Sequence, residues 1–299
     1  MPKIILDPQT KQLVNSVSMK HIKCWVKELS SFPTRHTKSK YINQAAKYLK
    51  QEFNKIGYDE VTYHRYSSEI DGNKYDLKNV ICHKKGRNKQ VILICAHYDS
   101  RMNDLKDELS LAPGANDNAT GVAAILEISR ILNSIKLEHD IIFALFSGEE
   151  QDYLGSSQYA KFVTKNGVNI YRLINLDMIG FPLFNRGKVT VERDNNKKRK
   201  HNQNKENDRE SIKLGKLMKD ASRYTDLNVL LDSIYDSDYE PFEAQGTVVI
   251  GAYDGSARSN NPHYHSTTDT ANYIDWPFLT SVTKMVLATI MSIAKKNGF

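Results

Sequence analysis

At 299 residues, 40% of them hydrophobic, the chain can bury a sizeable core, and no apolar run reaches the roughly 18 residues of a spanning helix, so no transmembrane segment is expected. Three cysteines, an odd and sparse set without a CxxC pair, do not make a disulfide framework. Much of the +7 net charge lies in one run, Lys197-Lys198-Arg199-Lys200-His201, set among asparagines and without aromatics; it reads as a solvated loop, since single-strand nucleic-acid binders pair charge with stacking rings.

The first residues, Met1-Pro2-Lys3-Ile4-Ile5-Leu6-Asp7-Pro8, hold no long apolar stretch, so no signal peptide is expected, and location is left open between the cytoplasm and export with a removed signal. Ile22, Trp25, Val26 and Leu29 have helical spacing and predict a helix over 19–29. A longer helix carries Ile42, Ala45, Ala46, Leu49, Phe53 and Ile56, with Gly57 as its stop. Strands follow at 61–66 and 77–83, with Asp71-Gly72 as a turn signal between them. A third strand, 91–96, is a continuous apolar run; Cys95 within it reads as a small buried residue.

Beyond a loop over 101–116, a helix is expected at 119–133, a strand at 141–146, a helix at 153–163 and a strand at 170–176. A short strand at 189–192 leads into a hydrophilic stretch, 193–209, read as a loop insertion. A helix at 212–224, strands at 229–231 and 247–251, a loop at 252–261 and a last helix from Trp276, with Pro277 in its first turn, complete the chain. Strands alternating with helices predict an α/β fold: a mixed, mostly parallel sheet covered on both faces, read as one domain over 1–299.

Two apolar strands end in polar residues, at His97-Tyr98-Asp99-Ser100 and at Ser147-Gly148-Glu149-Glu150. In an open α/β sheet, ligands gather at the carboxyl ends of parallel strands. His97, Asp117, Glu150, Asp177 and His265 each lie at a predicted strand end or in a loop near one, and oxygen and imidazole donors without thiolates suit zinc or manganese.

Five segments occur in order: His97-Tyr98-Asp99-Ser100, Ala112-Pro113-Gly114-Ala115-Asn116-Asp117-Asn118-Ala119-Thr120-Gly121, Gly148-Glu149-Glu150, Asn175-Leu176-Asp177-Met178 and His265-Ser266-Thr267-Thr268-Asp269-Thr270. Together they resemble the M28 family of di-zinc exopeptidases, closest to bacterial leucyl-type aminopeptidases, over roughly residues 20–295. Ser31-Phe32-Pro33-Thr34-Arg35 is similar to the family's N-terminal segment.

The resemblance implies two Zn2+, with Mn2+ or Co2+ as substitutes, and peptide substrates with a free N-terminus, apolar first residues foremost. It implies that Asp117 bridges the metals, His97 and Asp177 complete one and Glu150 and His265 the other. Asp99 would accept a hydrogen bond from His97, and Glu149 would be the general base. Tyr264 is either an oxyanion stabiliser or a packing aromatic. Tyr239 stands where the family often has histidine after Asp238, and the family's frequent cysteine pair near the last histidine is missing. Met178, Ile179, Phe181 and Tyr253 are read as pocket wall or core. A glutaminyl-cyclase-like acyltransferase, a carboxypeptidase or dipeptidase, and a binding domain that has lost its metals are the competing readings. The sequence is silent on oligomeric state.

Overall fold

The computed structural model describes residues 7–182, 187–195, 202–256 and 260–295. Its centre is an eight-stranded sheet: β1 (Val61–Ile70), β2 (Asn73–Lys84), β3 (Asn88–His97), β4 (His139–Phe146), β5 (Ile170–Leu176), β6 (Lys188–Arg193), β7 (Asn228–Ser233) and β8 (Val249–Tyr253). The spatial order is β1-β2-β4-β3-β5-β8-β6-β7. Pairs β3/β4, β3/β5, β5/β8 and β6/β7 are parallel, whereas β1/β2, β2/β4 and β6/β8 are antiparallel. The mixed, mostly parallel sheet expected from the sequence is therefore present.

The unbroken apolar runs of β3 and β4 follow from their place in the sheet. Ile92, Ile94 and Ala96 of β3, with Ile141, Phe143 and Leu145 of β4, point into one core. Val91, Leu93 and Cys95, with Ile142, Ala144 and Phe146, point into the other. A strand buried on both faces has no polar side to show. The first core is closed by α2 (Met19–Ser30), α3 (Lys40–Ile56), α4 (Thr120–Leu132) and α8 (Trp276–Ala294). The second is closed by α5 (Leu154–Lys165) and the short α7 (Glu240–Glu243).

Helix boundaries are set by side-chain caps. Ser18 accepts from the amide of His21 at the start of α2, Asp275 accepts from Phe278 at the start of α8, and Gly57 closes α3 in the left-handed region at φ 106°. Three helices depart from the sequence expectation, the short α7 having no counterpart there. A first helix, α1 (Pro8–Asn15), is capped by Asp7 with Pro8 at its opening position. The helix α6 (Lys205–Ala221) starts well before residue 212, because Asn204 accepts from the amides of Glu206 and Asn207. Residues 205–209 are thus helix and not loop; the basic run Lys197 to His201 lies outside the described residues. By length and composition, α8 is apolar enough to cross a membrane, but 78% of its apolar window is buried inside the fold, as in a core helix.

Candidate metal centre

The parallel strands β3, β4 and β5 end on one edge of the sheet, and the chain reverses its direction of growth there, with β4 on one side of β3 and β5 on the other. That is the topological switch point at which open α/β sheets bind ligands. His97 is the last residue of β3. Glu149 and Glu150 open a short 3-10 turn after β4, which Gly148 enters at φ 74°, a conformation glycine adopts freely. Asp177 follows β5, Asp117 precedes α4 on a segment whose Asp117–Asn118 peptide is cis, and His265 lies in the loop after β8.

These six side chains meet around one cavity of about 340 Å3, or border it in the case of His265. His97 Nε2 lies 3.3 Å from Asp117 Oδ1, 3.3 Å from Asp177 Oδ1 and 3.9 Å from Glu149 Oε2. His265 Nε2 lies 2.9 Å from Asp117 Oδ2 and 3.1 Å from Glu150 Oε2. Asp117 therefore turns one oxygen to each histidine. Two sets of donor atoms, from His97, Asp117 and Glu150 and from His97, Glu149 and Asp177, fall within 4.8 Å of one another.

The donor atoms are also poorly served by hydrogen bonds. Glu150 Oε1 is buried without a partner, and His265 Nε2 makes no hydrogen bond of acceptable geometry to the carboxylates beside it. Convergent buried oxygens and imidazole nitrogens that do not satisfy one another fit a cation of the zinc class.

The electrostatics agree. Burial pushes the Asp117 carboxyl up, but the close approach of His265 and His97 outweighs it and holds it well below the usual range. Burial pulls His265 down, and Glu150 and Asp117 overcome this, raising it to about 9. Glu149 is pushed well up by burial and by Glu150 and Asp177, against the opposing pull of His97. Perturbed carboxylates of this kind, gathered in a cleft, mark a functional site.

Asp99 behaves differently from expectation. Its Oδ1 lies 3.6 Å from His97 Nδ1, beyond a hydrogen bond, and Nδ1 has no partner. Asp99 instead accepts from Thr37 Oγ1 at 3.1 Å and from the amides of Glu149 and Glu150, both at 3.2 Å. The 3-10 turn starts with amides that have no partner within it, and Gly148 offers no side chain to cap them, so a carboxylate from the neighbouring strand does so.

Tyr264 lines the cavity with its ring stacked on His265 at 3.6 Å between centroids, and burial pushes its phenol well up. Met178 and Tyr253 line the cavity; Ile179 is core, and Phe181 packs edge-on against His263. Tyr239 donates to Glu192 Oε2 at 2.9 Å, and that carboxylate is itself at the cavity wall.

Several residues of the site carry no signal in the sequence. Arg101 Nε donates to Glu150 Oε2 at 2.6 Å, and Ser237 Oγ donates to Asp177 Oδ2 at 2.6 Å. Asp269 accepts from the amides of Asn116 and Asp117 at 2.9 and 3.0 Å. Asp269 sits inside one of the quoted motifs, which is the only hint the chain offers of it.

A switch-point cleft that gathers two imidazoles and four carboxylates defines the class: an α/β/α protein with a candidate metal centre. The family model described as "Peptidase family M28" matches residues 79–290, and the chain belongs to that family. A probable zinc metalloprotease of Pyrenophora teres f. teres (strain 0-1) is 30% identical over 197 residues, which is 60% of this chain and 41% of that protein. The chain thus matches less than half the length of this relative. BSAP, a zinc aminopeptidase from Bacillus subtilis, superposes with a TM-score of 0.76 at 17% identity, over 95% of this chain and 97% of that one. A Bacteroides thetaiotaomicron glutaminyl cyclase bound to N-acetylhistamine gives 0.75 at 22% identity, over 92% and 97%. At these identities the two structures bear on the fold alone.

Proposed function

We propose that the chain is a single peptidase domain acting as a zinc-dependent aminopeptidase on peptides with a free N-terminus. The observation that carries the reading is the meeting of His97, Asp117, Glu150, Asp177 and His265 around a cavity that also holds Glu149. His97 and Asp177 would hold one zinc, Glu150 and His265 the other, with Asp117 between them, since its two oxygens face the two histidines. When bound, zinc supplies Lewis-acid polarisation of a carbonyl and lowers the pKa of water.

The chain's own residues do the rest. Glu149 takes a proton from the attacking water as its oxygen adds to the scissile carbonyl carbon. It then gives that proton to the amine as the C–N bond breaks. Tyr264, beside His265, donates its hydroxyl to the developing oxyanion. Asp177, kept in place by Ser237, and Glu149 leave the cavity rich in carboxylates, which suits a substrate's free ammonium group.

A glutaminyl-cyclase-like reaction is the second reading, favoured by the fold similarity to the Bacteroides enzyme. The deciding assay is hydrolysis of amino-acid amides and their N-acetyl counterparts by zinc-loaded protein, with and without chelator. Chelator-sensitive release restricted to free amines supports the aminopeptidase. Release from N-acetyl substrates alone, or cyclisation of N-terminal glutamine without hydrolysis, defeats it.

A further inference from the structure

Arg35 is fully buried, yet it forms no ion pair with a carboxylate among the described residues. Its Nε donates to Tyr98 O at 2.7 Å, Nη1 to Leu29 O at 2.9 Å and to Pro113 O, and Nη2 to Gly114 O at 2.8 Å. Every acceptor is a backbone carbonyl, and the carbonyls belong to three separate segments. Tyr98 sits between His97 and Asp99 at the end of β3. Pro113 and Gly114 lead into Asp117. Leu29 lies in the last turn of α2.

The backbone around Arg35 repeats the link. Its amide donates to Ser100 Oγ at 3.0 Å, Ser100 Oγ donates to Ala112 O at 2.7 Å, and the amide of Ala112 donates to Pro33 O at 2.8 Å. Residues 33–35 are therefore stitched between the segment that bears His97 and the segment that bears Asp117. The charge has a role as well. Burial pulls the guanidinium down to about 10, against the charges of Asp269, Asp99, Asp117 and Glu150, so it stays charged at neutral pH.

We propose that Arg35 is a positioning residue for the metal centre, fixing the approach of the Asp117 segment to the His97 strand so that the ligand geometry exists before metal arrives. The proposal rests on the zinc-site assignment above. Only a planar fork with several donors can serve carbonyls on three segments; a lysine ammonium, a compact point charge, cannot span them. Arg35 adds a buried positive charge to those that Arg101 and the two histidines set against the carboxylates of the metal-free protein. Once cations are bound, that charge is no longer needed, whereas the spacing still is.

The test is zinc affinity, measured by competition with a chromogenic chelator on the whole chain, for the parent, Arg35→Lys and Arg35→Met. Thermal melting of the metal-free and zinc-loaded forms accompanies it. Both variants are expected to weaken the tighter zinc by at least tenfold and to shrink the zinc-induced rise in melting temperature, because ligand linkage raises stability only as far as the ligand binds. A purely structural role would lower both melting temperatures equally and leave the affinity unchanged; that result, or an Arg35→Lys protein that binds zinc like the parent, overturns the proposal.

Should neither variant fold, Ser100→Ala decides, since it cuts the Arg35–Ser100–Ala112 link and leaves the guanidinium in place. A threefold or greater loss of zinc affinity supports the proposal, and an unchanged affinity overturns it. Parent protein that takes up no zinc sinks the metal-site reading itself. Parent protein that binds zinc but cleaves no free-amine substrate sinks the aminopeptidase reading while leaving the test of Arg35 intact.

Discussion

Gly155, in the first turn of α5, sets two ordinary effects against each other. Replacing a helical glycine by alanine stabilises an exposed helix by about 1 kcal/mol. Here the added methyl would lie 2.2 Å from Ser147 O, 2.4 Å from Asn79 Oδ1 and 3.0 Å from Ser147 N. Carbon and oxygen make contact at about 3.3 Å, so the overlap is about 1 Å on two atoms that cannot swing away. Asn79 is pinned: its Nδ2 donates to Gly155 O at 2.9 Å, and its Oδ1 accepts from the amide of Ser147 at 3.1 Å. Ser147 O in turn accepts from Tyr66 Oη at 2.8 Å. Relief requires α5 to retreat or this network to open. Overpacking costs about 1–3 kcal/mol and each buried hydrogen bond broken about 1 kcal/mol more, so Gly155→Ala is expected to lose about 2–4 kcal/mol after the helix gain is credited. Residues 147–150 carry Glu149 and Glu150, and a displacement of about 1 Å at a catalytic group can reduce turnover by about a hundredfold. Urea unfolding gives the first quantity and amide hydrolysis the second. A Gly155→Ala protein that is as stable as the parent, or more so, refutes the packing argument, because helix propensity would then have won.

Glu149→Gln is expected to lower kcat by about 10²–10⁴-fold with zinc content unchanged, as loss of a general base requires; a drop in bound metal would instead make Glu149 a ligand. Tyr264→Phe keeps the ring stacked on His265 and removes the hydroxyl, so an oxyanion role predicts a fall in kcat of about 10–10³-fold, and a packing role predicts none. Burial raises Asp254 to about 7 against the donors Ser256, Asn116 and Phe181, from 3.8 in the unfolded chain. Between those values the folded protein holds the proton that the unfolded chain has released. Stability therefore falls as pH rises through that window, by on the order of a few kcal/mol. Urea midpoints of zinc-free protein at pH 5 and pH 7.5 should differ less in Asp254→Asn than in the parent.

What the sequence made legible follows from what is local in the structure. Strands β3 and β4 announce themselves because burial on both faces demands an unbroken apolar run, and their polar ends mark the switch point. Helix α3 is readable from its apolar spacing and from Gly57. Helix α6 is not, because its opening turns are polar and face outward; the signal there is Asn204 with Glu206 and Asp208 in the first turn, a pattern easily lost in a hydrophilic stretch. The proposed ligands are legible because each falls within a short family-like motif, at a strand end or in a loop beside one. Their supports are not. Arg35 reaches Tyr98 and Gly114 across gaps of 63 and 79 residues, and Ser237 reaches Asp177 across 60. Asp99 shows the limit most clearly: its place beside His97 in the chain suggested a partner, and the unpaired amides of Glu149 and Glu150 are the ones it serves.

The supports explain how loops can hold a metal geometry at all. Connecting segments are the softest parts of a fold, and four of the five proposed ligands lie on them. Each such segment is tied to another by a side chain that is not itself a ligand. Arg35 joins the His97 strand to the Asp117 segment, and Asp99 joins that strand to Glu149 and Glu150. Asp269, four residues beyond His265, accepts from the successive amides of Asn116 and Asp117, so the His265 loop and the Asp117 segment are tied together. Ser237 reaches in from the chain after β7 to hold Asp177, and Asn175 at the end of β5 holds Ser237. The ties link the segments across the top of the sheet, and a mobile edge becomes a rigid one. Because the fixed groups are mostly backbone amides and carbonyls, the geometry survives changes in the side chains around them. The ligands alone would leave the spacing of the site to the loops; with the ties, it is set by the sheet.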